Sequence, residues 1–157
     1  MTTTATHPAC DYVERYLLSE YNHHAHSVDH YFSMEYMANT ERGKSKWRHL
    51  CRLAQKMKDD ILGILFAYQQ GGRSLSALAG GVYEAQDERR DLLAWLAGRP
   101  EEAPEHTRRV KEEMHYFAEL MNDILHHVKY NNPGTKKAAE AAAVLASLQA
   151  AKRAMMR

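Results

Sequence analysis

The strongest constraint on the fold is an apolar stripe with helical spacing and no competing strand signal. Trp47, Leu50, Ala54, Met57, Ile61, Ile64, Leu65 and Tyr68 recur at intervals of three and four, which puts them on one face of an α-helix. Val and Ile are sparse, two-residue alternation is not sustained, and Ala, Leu, Met, Glu, Lys and Arg dominate between the breaks. The local preference is therefore helical throughout. Breaks at Gly43, Gly71-Gly72, Gly98 to Pro104 and Asn131-Asn132-Pro133-Gly134 predict helices over 9–39, 44–70, 74–98, 103–131 and 135–156. The expectation is an all-α fold: a single compact bundle of about five helices, mostly antiparallel neighbours. It is read as one domain over 1–157, with 1–8 disordered and 135–157 forming a peripheral Ala-rich helix with little bulk to pack.

A chain of 157 residues that is 45% hydrophobic and 26% charged can bury a core, and intrinsically disordered sequences lack that apolar content. No apolar run approaches the roughly 18 residues of a membrane span, and the opening MTTTATHPAC has neither part of a secretory signal. Cys10 and Cys51 are far apart and form no CxxC or Cys/His spacing, which disfavours a disulfide framework and a structural zinc site. A cytoplasmic protein with no membrane partner is expected.

The formal net charge is +1, so attraction to a polyanion has to come from local clustering. The second helix has such a cluster. Arg42, Lys44, Lys46, Arg48, Arg52, Lys56 and Lys58 all precede the next acid, Asp59, and Arg48, Arg52 and Lys56 are four apart on one face. That face has the geometry to follow a phosphate backbone; a solvated face that confers solubility has the same pattern. In the third helix Leu75, Leu78, Val82, Ala85, Leu92, Leu93 and Leu96 form a stripe with Arg89 in its middle. A charge there needs a partner, and Glu35, on the apolar stripe of the first helix, is the expected one; contact with a ligand or partner is the alternative.

Two Glu-x-x-His pairs, Glu20 with His23 and Glu112 with His115, invite a di-iron bundle site. The stripe of the fourth helix, however, is Val110, Met114, Phe117, Met121, Ile124, Leu125 and Val128, and Glu112 and His115 point away from it. The dense run His23, His24, His26, Asp29 and His30 includes the i,i+4 pair His26 and His30, two ligands where a closed zinc site needs four. An alternative metal- or haem-binding reading rests on Glu20, His23, His26 and His30. His24 leans inward beside Glu20 and reads as a buried, satisfied histidine. No nucleophile, second carboxylate or phosphate-binding glycine loop completes a catalytic arrangement, so no cofactor and no enzymatic activity are expected.

The stretch ILGILFAYQQGGRSLSALAG, followed by DERRDLLAWLAG, EEAPEHTRRV and HYFAELMNDILHHVKY, resembles in order and spacing the CasB family, the small subunit of the type I-E CRISPR Cascade complex. The resemblance covers about residues 61–130; residues 1–45 and the Ala-rich C-terminal stretch depart from it. It implies a non-enzymatic helical subunit of a ribonucleoprotein surveillance complex that contacts RNA or displaced single-stranded DNA, other subunits and a second copy of itself. By position the resemblance implies Arg73, Arg89, Arg90, Arg108, Arg109 and Lys111 as basic contacts, whereas Arg48, Arg52 and Lys56 come from charge patterning alone. A homo-oligomeric structural or regulatory protein is the remaining alternative, suggested by Tyr12, Tyr16, Met34 and Met37 as a second apolar flank on the first helix.

Overall fold

The computed structural model describes residues 10–99 and 104–155. Among these, every regular element is an α-helix: α1 Tyr12–Met37, α2 Glu41–Gln70, α3 Leu75–Ala97, α4 Pro104–Asn131 and α5 Lys136–Met155. The fold is all-α with five helices, as the periodicity predicts. No helix among the described residues is long and apolar enough to cross a membrane. The disorder expected for residues 1–8 lies outside the described residues. The chain divides into two compact units between Leu65 and Phe66, within α2.

In the first unit, α1 starts at a capping box: Glu14 N donates to Asp11 Oδ1 at 2.8 Å, and Asp11 N donates to Glu14 Oε1 at 3.2 Å. These bonds satisfy amide groups that the helix itself leaves unpaired. The predicted break at Gly43 falls inside α2. Thr40 Oγ1 accepts from Gly43 N at 3.0 Å, so a threonine cap starts the helix at Glu41, three residues earlier than the glycine suggests.

Four contacts align α1 with α2 in this unit. Lys58 lies over the Tyr21 ring, Cys51 Sγ donates to Val28 O, Trp47 stacks on Tyr31, and Arg48 pairs with Glu35. From Tyr21 through Val28 to Tyr31 the α2 partner falls from Lys58 through Cys51 to Trp47, and Glu35 meets Arg48 at the same end of α2, so the two helices form an antiparallel hairpin. Val13, Leu17, Ala54, Met57, Ile61, Ile64 and Leu65 are buried; Trp47 and Leu50, at the open end of the predicted stripe, are half-buried.

The second unit is a three-helix bundle in which α3, α4 and α5 contact one another, α4 making the most extensive contacts. Leu75, Leu78, Val82, Ala85 and Leu96 of α3 are buried, as are Val110, Phe117, Leu120, Met121, Ile124, Leu125 and Val128 of α4. Helix α5 packs through the small side chains Ala138 and Ala141 and through Leu145. Polar groups at its start fix the turn before α3. Glu140 Oε1 accepts from the amides of Leu75 and Ser76, and Lys137 Nζ donates to Tyr68 Oη at 2.7 Å and to Arg73 O at 2.6 Å. Carboxylate at the N-terminus of α3 and ammonium near the end of α2 match the helix dipoles.

Candidate nucleic-acid interface

The burial of one face of α2 leaves its opposite face in solvent, and that face is basic. Arg42, Lys46, Arg48, Arg52 and Lys56 are exposed, and Lys44 and Lys58 are half-exposed. Arg48 Nε donates to Glu35 Oε2 at 2.9 Å and Lys56 Nζ lies 3.1 Å from Asp60 Oδ1. Lys46 covers the Trp47 ring at 5.0 Å. Arg42 and Arg52 have no carboxylate within ion-pair distance among the described residues. A partly solvated ion pair such as Arg48–Glu35 contributes only about 0–1 kcal/mol, so Arg48 can exchange its carboxylate for a phosphate at little cost, whereas Asp60, with its side chain 10% exposed, holds Lys56 more firmly.

The basic residues of the second unit are arranged differently. Arg89 is 3% exposed and is removed as a contact residue. Its Nε donates to Glu113 Oε1 at 3.0 Å, its Nη1 to Ala85 O at 3.0 Å, and its guanidinium lies 4.7 Å from the Phe117 ring centroid. The charge on the apolar stripe has a partner, but that partner is Glu113; Glu35 is engaged by Arg48. Arg73 is half-buried with φ 57°, a left-handed conformation in the turn after α2. Arg90 is exposed and pairs with Asp87. Arg108 is 3.8 Å from Glu112 and Arg109 is 3.5 Å from Glu113. Lys111 is exposed on the same helix. The start of α4 thus alternates in sign, with Glu105, Glu112 and Glu113 among its cations, and its field is weaker than that of α2.

The histidine run does not assemble a metal centre: no group of three or more His, Cys, Asp or Glu side chains able to hold a metal occurs among the described residues. His23, His26 and His30 are exposed and Glu20 is half-buried. His24 leans inward but is half-buried where the sequence predicts a buried histidine, with its ring 5.3 Å edge-on to that of His23. Burial pushes its pKa below 6.5, His23 adds to the shift, and Glu20 opposes it. A separate open cavity of about 380 Å³ lies in the three-helix unit, with Met121 and Leu145 as apolar lining and Gln86, Asn122, His126 and Lys152 as polar lining.

The sequence reading missed the aromatic component of the α1–α2 hairpin. Phe32, Tyr36 and Met37 are 65%, 85% and 63% exposed, whereas Tyr12, Tyr16 and Met34 of the proposed oligomer flank are half-buried and only Met37 of that flank is exposed. The available signal was the i,i+4 spacing of Phe32 and Tyr36 immediately before the basic run. The chain matches no protein-family model, no curated protein and no solved structure.

Proposed function

We propose that this protein is a non-enzymatic, nucleic-acid-binding subunit of a CRISPR-type ribonucleoprotein surveillance complex, acting in the cytoplasm. The observation that carries the binding reading is the basic run of α2, where seven basic residues, five of them exposed, follow Glu41 with no acid before Asp59. The membership of such a complex rests on the resemblance to the CasB family over about residues 61–130. Arginine forks on α2 neutralise phosphate oxygens and release condensed counterions, giving tight binding with weak sequence preference and steep salt dependence. Any strand cleavage belongs to another protein. Self-association and contacts with other subunits accompany this role.

The test is binding of the untagged protein to labelled single- and double-stranded DNA and RNA across a salt series, with metal content determined on the same sample. Salt-sensitive binding without stoichiometric metal is the expected result. Absence of binding together with about one or two metal ions per chain would replace this reading with the metalloprotein.

A further inference from the structure

We propose that Phe32 and Tyr36 form a base-stacking platform beside the cations of α2, making the α1–α2 face selective for unpaired bases over duplex. This inference rests on the nucleic-acid reading of α2 and adds a contact with the bases themselves.

The two rings are exposed and four residues apart, so they share a flank of α1. Helix register and the contacts between α1 and α2 place that flank. Tyr31 stacks on Trp47 at 6.0 Å while Glu35 reaches Arg48 at 2.9 Å. Moving from Tyr31 through Glu35 towards Tyr36 turns around α1 in the same lateral direction as moving from Trp47 through Arg48 towards Arg52 turns around α2, because the helices are antiparallel. Phe32 and Tyr36 therefore stand on the side of the hairpin that carries Lys44 and Arg48, with Arg52 one turn further along. Asp29, exposed one turn before Phe32, bounds the platform on its acidic side.

This juxtaposition pairs two chemistries. Guanidinium and ammonium groups hold phosphate, and open aromatic faces accept bases in stacking contact regardless of base identity. A duplex presents phosphates but keeps its base faces stacked on one another, so it can use only the first. A second copy of the chain is the less suitable occupant. A two-fold contact on the same patch would gather the Arg48 and Arg52 cations of both copies into one interface, a concentration of like charge that nucleic acid relieves.

The experiment measures fluorescence anisotropy with the full chain and three probes of equal phosphate number: a single strand, a duplex and an abasic strand, the single strand in DNA and RNA forms. The wild type is expected to bind the single strand at least about tenfold more tightly than the abasic strand, the size expected for stacking of one or two bases. Phe32→Ala with Tyr36→Ala should remove that ratio while leaving duplex and abasic binding and the salt slope unchanged. Phe32→Leu with Tyr36→Leu, which keeps apolar bulk without a ring, should do the same, and Phe32→Tyr with Tyr36→Phe should retain it. If the wild type binds all three probes with steep salt dependence but the double variants keep the ratio, the platform is overturned and the α2 reading stands. If the wild type binds none of the probes, both readings fail. Light-scattering detection of a dimer that the double variants dissociate, with the ratio unchanged, would assign the patch to a second copy and overturn the platform.

Discussion

Arg89 Nε and Glu113 Oε1 are 3.0 Å apart, joining the buried face of α3 to α4 with only 4% and 14% of the two side chains exposed. The two sides of this pair have unequal alternatives. Glu113 also has Arg109 at 3.5 Å, while Arg89 is otherwise held by Ala85 O and the Phe117 face. Removing the carboxylate takes the Glu113 ion pair from a cation whose side chain is only 4% exposed, so Glu113→Ala is expected to destabilise the protein by about 3 kcal/mol. Arg89→Met should cost less, because Arg109 remains for Glu113 and the methionine fills the space. Arg89→Met with Glu113→Leu should recover part of the loss. Urea unfolding of the four chains checks the order; equal losses for the two single variants would contradict the asymmetry.

Glycine substitutions should separate by the space around each Cα. A Cβ on Gly71 would lie 2.3 Å from Ala77 Cβ and 3.1 Å from Ala67 O, so Gly71→Ala must open the turn between α2 and α3, at about 1–3 kcal/mol. Gly63 and Gly80 are inside helices, and a Cβ on either meets nothing within 4 Å. Gly63→Ala and Gly80→Ala should each stabilise by up to about 1 kcal/mol, because alanine loses less backbone entropy on folding. Thermal unfolding of the three single variants tests the opposite signs.

The helices were legible because their causes are local. Stripe period, glycine breaks and the 131–134 turn place most ends within one or two residues; α1 starts three residues later than predicted, at its Asp11 cap, and α2 three residues earlier, because a hydroxyl cap at Thr40 competes with the Gly43 signal. That Arg89 needs a partner was equally legible, since one charge in an apolar stripe is costly. Which partner was not: Glu113 rather than Glu35 follows from α3 packing against α4, and no stripe encodes which helices meet. The basic run of α2 was visible for the same local reason as the helices. Its neutralisation at Arg48 and the exposure of Phe32 and Tyr36 depend on how α1 turns against α2, and were not.

His24 makes the first unit sensitive to mild acid. Its folded-state pKa is lowered, by burial first and by His23 second, from 6.5. As pH falls through 6.5 the unfolded chain takes up this proton before the folded chain does. Stability from the neutral ring is therefore fully present above 6.5, is lost between 6.5 and the lower folded value, and levels off below it. His24→Gln should flatten this part of the stability profile. NMR titration of the ring should give a midpoint below 6.5, and a midpoint at or above it would contradict the assignment.

The two arginine pairs should contribute unequally to nucleic-acid binding. Of the α2 pair only Arg48 meets a carboxylate, Glu35 at 2.9 Å, whereas Arg108 and Arg109 both do, at 3.8 and 3.5 Å from Glu112 and Glu113. Arg48→Ala with Arg52→Ala removes two phosphate contacts and should lower the magnitude of the slope of log affinity against log salt by roughly 1.5. Only the exposed Glu35 pair is lost, so stability should change by less than about 1 kcal/mol. Arg108→Ala with Arg109→Ala should also weaken binding without unfolding the chain, but with a smaller change in slope, since both arginines are already partnered by carboxylates and neutralise less phosphate. Anisotropy titrations between about 50 and 200 mM salt compare the two variants directly. A larger effect from the α4 pair would move the interface from α2 to the three-helix unit.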